Sequence, residues 1–179
     1  MDSVKGKILF FVEDLYEDLE LWYPKIRLIE AGAEVIVAGL MAGTLYNGKH
    51  GYPCVCDAAI ADVDEKDFTG LVIPGGFAPD RLRRVERVKQ LTRSFMASEK
   101  LVAHICHAGW IPASAGICRG FKMTSTLGIK DDLVNAGAIW VDEPVVVDRN
   151  MVSSRRPDDL PWFMKGILEF LRKHHHHKK

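Results

Sequence analysis

Residues 101–109 read LVAHICHAG: an apolar run, a cysteine followed by a histidine, and two small residues. The apolar run predicts a buried strand, and the small side chains of residues 107–117 predict a helix. Cys106 therefore lies at a sharp strand-to-helix turn, where small neighbours let another group approach closely. From this pattern alone, Cys106 is either an inert core thiol or a nucleophile held in an elbow.

The rest of the chain alternates strands with helices. Further strands are predicted over 7–13, 34–40 and 69–74, and a short one near Met123. Helices are predicted up to about residue 31, from about residue 79, over 129–136 and over 158–172. Hairpins are predicted at Asn47-Gly48 and Arg149-Asn150. Continuous Val/Ile/Leu strands alternating with helices are typical of a parallel sheet covered on both faces. We therefore predict an α/β, doubly wound, flavodoxin-like and mostly parallel fold, with its site at the carboxyl ends of the strands.

Length and composition indicate one soluble domain over residues 1–172, followed by a low-complexity tail, 173–179, that is disordered or partly a purification tag. The chain has 24 basic and 24 acidic residues; without the three lysines of the tail the net charge is −3. This balance argues against nucleic-acid binding. The densest basic cluster is interpreted as the solvated side of one helix. It comprises Arg81, Arg83, Arg84, Arg87, Lys89 and Arg93.

The N-terminus resembles a strand more than a signal peptide, and no apolar stretch reaches the ~20 residues that a membrane helix needs. No CxxC pair occurs among the cysteines, so neither a zinc site nor another metal site is expected. Free thiols suit a reducing cytosol, which predicts a cytoplasmic protein. The cysteines are Cys54, Cys56, Cys106 and Cys118.

Several blocks in a fixed order resemble one known family. They read EDLELWYPKIRLIEAGAEV, NGKHGYP, LVIPGGFAPDRLR, HICHAGW, IKDDLVNAGAIWVDEPVVV and SRRPDDLP. On these blocks, residues 7–170 are similar to the PfpI-like intracellular cysteine proteases and protein deglycases, which belong to the class I glutamine-amidotransferase-like superfamily. The resemblance implies a hydrolase that needs no cofactor and assembles as a homodimer or a higher homo-oligomer.

The same resemblance implies roles for four residues. Cys106 corresponds to the nucleophile and His107 to the histidine that follows it, whereas Glu20 corresponds to a carboxyl group beside the sulfur. Asp80 corresponds to an acid that orients the histidine of a neighbouring subunit. The alternatives are a solvated first-turn glutamate for Glu20 and a helix-capping or first-turn acid for Asp80.

Other residues around the expected site have weaker assignments. Gly75 and Gly76 are expected to place a backbone N–H at the oxyanion position, with a second one from His107. Glu17 either lines the pocket or lies on the surface. Thr126 stands where family proteases often have a tyrosine, which removes an aromatic wall and a phenolic donor.

Two expectations concern charge. A thiol at a helix N-terminus is favoured as thiolate by the dipole and by unpaired N–H groups, so Cys106 is expected to be partly ionised. Glu20 would share one proton with it and act as general acid and base. His104 is interpreted as a structural histidine, although it replaces a common small residue.

Three functions remain open, in this order. The first is hydrolysis of reactive dicarbonyls or their early protein adducts, a deglycase or cofactor-independent glyoxalase activity in the stress response. The second is peptide hydrolysis by an intersubunit Cys106–His107–Asp80 triad, and the third is redox sensing without turnover. Glutamine amidotransfer is disfavoured because no histidine occurs between His107 and the tail.

Overall fold

The computed structural model describes residues 4–175, the last of them by its backbone only. The strands are β1 (Lys7–Phe11), β2 (Glu34–Gly39), β3 (Leu45–Asn47), β4 (Pro53–Val55), β5 (Ala58–Ala59), β6 (Gly70–Ile73), β7 (Leu101–Ile105), β8 (Lys122–Met123), β9 (Ile139–Trp140), β10 (Val145–Asp148) and β11 (Met151–Ser154). The helices are α1 (Asp18–Glu30), α2 (Ala78–Leu82), α3 (Glu86–Ala97), α4 (Trp110–Ala115), α5 (Lys130–Asn135) and α6 (Leu160–His175).

The central sheet has the strand order β10-β11-β7-β6-β1-β2-β5, and all its pairs are parallel except the β10–β11 hairpin. Every residue of β6 and β7 is buried, because helices cover both faces of the sheet. The predicted α/β, mostly parallel fold is confirmed, and the hairpin at Arg149-Asn150 forms as predicted. The first hairpin forms with a longer loop, residues 48–52, because Asn47 still pairs with Pro53.

The site is positioned by three neighbouring strands, since β1, β6 and β7 lie side by side and end at the same edge of the sheet. The loops that follow them are tied together by backbone hydrogen bonds. The Phe77 N–H donates to the Leu15 carbonyl at 2.8 Å, and the Lys49 N–H donates to the Tyr16 carbonyl at 2.9 Å. The β3–β4 hairpin loop is thereby attached to the same edge.

The arginine-rich cluster differs from its prediction. It extends over two helices, because α2 ends after five residues and Val85 has extended backbone before α3 begins. Part of its charge is paired locally: Arg84, between the two helices, contacts Asp80 of α2, and Arg93 contacts Glu86 within α3. The cluster is therefore not one solvated helix face.

The last helix also differs from its predicted end. α6 continues past residue 172 to His175, with Lys173 paired to Glu169 at 2.6 Å and the His174 ring stacked on Phe170. These i,i+4 contacts support the added turn. Residues 176–179 of the predicted tail lie outside the described residues. Among the helices described, none is long and apolar enough to cross a bilayer.

Candidate active site

Cys106 is the first residue after β7 and has a left-handed backbone, with φ of 60°. A cysteine in this conformation is strained by about 1–3 kcal/mol, so the surrounding packing must hold it there. The backbone then passes through a 3-10 turn, Cys106–Gly109, into α4. A Cβ atom on Gly109 would lie 3.2 Å from side-chain atoms of Ile129 and Leu133, which explains the small residue. The predicted elbow is present.

Glu20 lies in the first turn of α1 and is completely buried, which excludes the solvated alternative. The Gly75 N–H donates to its Oε2 at 2.8 Å, whereas its Oε1 is buried without a hydrogen bond. Gly75 separates the carboxyl from the nucleophile. A Cβ atom there would be 2.5 Å from Glu20 Oε2 and 2.9 Å from Cys106 Cβ, so only glycine fits.

The protonation of this pair follows from its burial. Desolvation raises the pKa of Glu20; the hydrogen bond from the Gly75 N–H opposes this, the negative charge of Glu17 adds to it, and the positive charge of Lys49 opposes it. Desolvation and the neighbouring Glu20 also raise the pKa of Cys106, and the backbone N–H groups of His107 and Gly76 only partly compensate. The expected partly ionised thiol is therefore wrong for the resting site: burial outweighs the short helix that follows.

His107 contacts Cys106 directly. Its Nδ1 lies 3.3 Å from Cys106 Sγ, and its ring packs against Trp110 with 5.3 Å between the ring centroids. Burial lowers the pKa of His107, and the positive charge of Lys49 lowers it further. The ring can therefore accept a proton but does not carry one at neutral pH.

The two glycines after β6 have different environments. The Gly75 N–H is occupied by Glu20, so this residue positions the carboxyl instead of facing an oxyanion. Gly76 has φ of 81°, and its N–H and that of His107 act on the Cys106 sulfur. These two groups remain the predicted oxyanion donors.

Glu17 is buried, and its Oε2 pairs with Lys49 Nζ at 2.6 Å. The surface alternative for Glu17 is excluded. Lys49 is a residue that sequence reasoning missed: its charge lowers the pKa values of Cys106, Glu20 and His107. The available signal was its position in NGKHGYP, one of the blocks on which the resemblance depends.

Glu17, Asp18 and His50 bring potential metal-ligand atoms within 4.8 Å of one another, the one such group found in the described part of the protein. Their oxygens already have partners. Asp18 accepts from the backbone N–H groups of His50 at 2.9 Å and Tyr52 at 2.8 Å, and Glu17 holds Lys49. These contacts favour a structural role, in which the carboxylates hold the hairpin loop on α1.

Asp80 does not join the nucleophile within one subunit. It lies in the first turn of α2 with its side chain 45% exposed, and its carboxylate pairs with Arg84 at 2.6 Å. The first-turn alternative fits this position. A role in a neighbouring subunit stays a prediction.

Two further residues lie around the elbow. The Thr126 N–H donates to the Cys106 carbonyl at 3.4 Å, so Thr126 does stand beside Cys106. His104 is fully buried in β7 and neither ring nitrogen has a hydrogen bond. Burial lowers the pKa of His104 to about 4, which keeps this histidine neutral.

The sequence profile described as DJ-1/PfpI family matches residues 6–170. The chain belongs to the DJ-1/PfpI family. It is 45% identical over 166 residues to the Deglycase PfpI of Pyrococcus furiosus, covering 93% of this chain and 99% of that one. It is 41% identical to the Putative cysteine protease YraA of Bacillus subtilis, covering 93% of this chain and 98% of that one.

A solved DJ-1/PfpI structure has the same fold. It is a two-domain protein of Anabaena variabilis with DJ-1/ThiJ/PfpI-like and ferritin-like domains, with a TM-score of 0.91 and 36% sequence identity. The match covers 93% of this chain and 48% of the other, so this chain spans about half of that protein. The family's relatives named above thus include a deglycase and a putative cysteine protease, which points to hydrolase chemistry at the family level.

Proposed function

We propose that this protein is a cytoplasmic stress-response hydrolase that acts on reactive dicarbonyls, or on their early adducts with protein thiols and amines. The observation that carries the proposal is the pair at the elbow. Glu20 presents an unpaired buried oxygen next to a strained, half-buried Cys106. A carboxyl with a raised pKa is suited to accept the thiol proton near neutral pH.

In the first step, ionised Glu20 takes the proton of the Cys106 thiol as the sulfur adds to the aldehyde carbon of methylglyoxal. The carbonyl oxygen becomes an oxyanion, which the N–H groups of Gly76 and His107 stabilise. Glu20 then returns the proton to this oxygen, leaving a neutral hemithioacetal. The raised pKa of the thiol matters little here, because the proton leaves during the attack and not before it.

In the second step, a base removes the C1 proton of the hemithioacetal while the C2 carbonyl oxygen takes up a proton, which gives an enediol. C2 is then protonated and the C1 hydroxyl loses its proton, which leaves a lactoyl thioester. Glu20 and His107 are the bases beside the sulfur that can carry these protons. Water then cleaves the thioester, which releases lactate and the Cys106 thiol. The net reaction adds one water to methylglyoxal and needs no external oxidant or reductant. An adduct on a protein thiol or amine would enter by exchange: the Cys106 sulfur replaces that group on C1, and the group leaves with the proton of the Cys106 thiol.

The test is lactate formation from methylglyoxal, measured for the wild type and three variants. Cys106→Ser and Glu20→Gln should reduce turnover to background, whereas Glu169→Gln, an exposed glutamate of α6, should match the wild type. Unchanged turnover in Glu20→Gln would refute the acid–base assignment. Peroxide-dependent oxidation of Cys106 without turnover of any carbonyl would favour the redox sensor instead.

A second candidate is a cysteine peptidase in which Asp80 acts across a subunit interface. The 3.3 Å contact between His107 and Cys106 supports a nucleophile–base pair. Self-association is supported by α1, where Leu19, Ile26 and Ile29 are exposed and a groove of about 660 Å³ runs beside Trp22 and Tyr52.

This candidate has a sharp test in mixed oligomers. Cys106→Ser and Asp80→Asn would each be inactive on peptides if the triad spans two subunits. Mixing and reassembling them would restore part of the casein cleavage, because one interface would then contain both native residues. No recovery on mixing, or peptide cleavage by a monomeric variant, would exclude the intersubunit triad.

A further inference from the structure

A second cavity lies beside the elbow, on the side of Thr126. Its volume is about 200 Å³, which suits a fragment and not a whole drug-sized ligand. Thr126 lines this cavity, and its N–H also donates to the Cys106 carbonyl. The nucleophile and the cavity are therefore connected through one residue. A tyrosine at this position would occupy the space that threonine leaves open.

The cavity contains two arginines, and one of them is available to a ligand. Arg155 is occupied, because it contacts Asp159 and Asp142 at 2.9 Å each. The side chain of Arg156 is 59% exposed, and its ion-pair contact with Asp158 is 3.9 Å long. Such an exposed, long pair is weak, whereas a guanidinium binds a carboxylate through two parallel hydrogen bonds. Asp142 would repel an anion, and Arg155 offsets part of this negative charge because it also pairs with Asp159.

The opposite wall is rigid and apolar at its centre. The Trp140 indole N–H donates to Ser125 Oγ at 3.0 Å, and the Ser125 hydroxyl donates to the Thr126 carbonyl at 2.8 Å. The ammonium of Lys130 lies 5.0 Å from the Trp140 ring centroid and adds a second positive charge nearby. These contacts hold the indole in place, so a ligand would not have to order it.

We propose that this cavity binds the carboxylate of the substrate through Arg156, so that the Cys106 site prefers carbonyl adducts of free amino acids and of C-terminal residues over adducts on internal residues. This inference rests on the proposed hydrolase function, which supplies the reaction. The carboxylate pairs with Arg156, the short aliphatic part packs on Trp140, and the adduct extends past Thr126 to the sulfur.

The kinetic test uses two substrates that differ only in the carboxylate: the methylglyoxal hemithioacetals of N-acetylcysteine and of N-acetylcysteine amide. We expect the wild type to prefer the acid by about twofold to fivefold in kcat/KM, as for one exposed charge pair. Arg156→Gln and Thr126→Tyr should abolish the preference, while Arg93→Gln on α3 should retain it. Turnover of free methylglyoxal, which has no carboxylate, should be the same in Arg93→Gln as in the wild type. Equal kcat/KM for both substrates in the wild type would overturn the proposal.

A binding test separates this proposal from the proposed function. The Cys106→Ser protein is titrated with N-acetylglycine while the tryptophan indole N–H signals are followed by NMR, with Trp140→Phe to assign one of them. A shift confined to Trp140 and lost in Arg156→Gln supports the carboxylate site, even if no adduct is turned over. No shift, or equal shifts of all indoles, refutes the site, even if methylglyoxal is hydrolysed.

Discussion

Glu17 and Glu20 lie one helical turn apart at the start of α1, and both are buried, at 4% and 0% exposure. Glu17 is neutralised by Lys49 at 2.6 Å, whereas Glu20 has only the Gly75 N–H and a neighbouring thiol. Desolvation therefore acts on Glu20 without a paired cation, and its pKa rises. The difference teaches that the partner, not the residue type or its depth, decides which of two buried carboxyl groups is charge-paired and which has a raised pKa.

The largest effect is expected when the charge of Glu20 is removed, in comparison with removal of the charge of Glu17. Glu20→Gln is expected to lower kcat for methylglyoxal by about 10²–10⁴, the range for a lost general base. Glu17→Gln, its matched control on the same helix, should lower kcat far less, because Glu17 acts through Lys49. Steady-state lactate assays at several pH values measure both. Equal losses of kcat in the two variants would show that Glu17 and Glu20 do not differ in their roles.

The spacing between Glu20 and Cys106 can be tested at Gly75. Gly75→Ala places a methyl group 2.5 Å from Glu20 Oε2 and 2.9 Å from Cys106 Cβ, so both groups must shift. We expect kcat/KM to fall by about 10²–10³, since a misplacement of about 1 Å is costly in catalysis. The control is Gly128→Ala, where the added Cβ meets nothing within 4 Å. A fully active Gly75→Ala protein would show that this spacing is unimportant.

His104 is a third buried ionisable residue, and its ring has no hydrogen-bond partner. Its pKa of about 4 lies below the unfolded value, so the native state binds fewer protons between pH 4 and 6.5. Stability should therefore be intact above pH 6.5 and fall by up to about 3 kcal/mol as the pH drops to 4. Urea denaturation across this range measures the loss, and His104→Gln should flatten this part of the curve. If the stability of His104→Gln falls with pH as steeply as that of the wild type, other groups cause the acid sensitivity.

The smallest effect is expected at Lys49. Its charge lowers the pKa values of Glu20 and Cys106, so Lys49→Met should raise both. Because Glu20 acts as a base when ionised, activity rises with pH, and the variant's pH–kcat/KM curve should move to higher pH. At neutral pH this predicts about a threefold to tenfold loss. His50→Gln, which alters a longer contact to Glu17 of 3.7 Å, is the matched control. An unshifted pH–kcat/KM curve would show that Lys49 does not influence the reacting groups.

Much of the fold could be predicted from local patterns. The β7 run and both hairpins depend on strand periodicity and turn residues, which act over a few positions. The break between α2 and α3 was missed, because the arginine spacing continues across it while Val85 adopts extended backbone. The continuation of α6 to His175 was missed because the low-complexity composition there suggested a tail.

The candidate site, like the fold, could be predicted only in part from the sequence. The resemblance supplied Cys106, His107 and Glu20, and the structure brings these three together. Lys49 was not assigned, since the loop that carries it is far from Cys106 in the sequence and is held at the site by a backbone hydrogen bond to Tyr16. The direction of the Cys106 pKa was predicted wrongly, because helix polarity is visible in a sequence whereas burial beside Glu20 is not.

By itself, the amino-acid sequence determined the α/β class, the parallel sheet and the presence of a cysteine at a strand-to-helix elbow, because periodicity and small residues act locally. Only the tertiary structure decided which groups surround that cysteine. The Gly75 N–H and the Lys49 charge come from different loops, and the desolvation of Cys106 depends on all the groups that pack around it. The protonation of Cys106 is therefore a property of the assembled edge of the sheet.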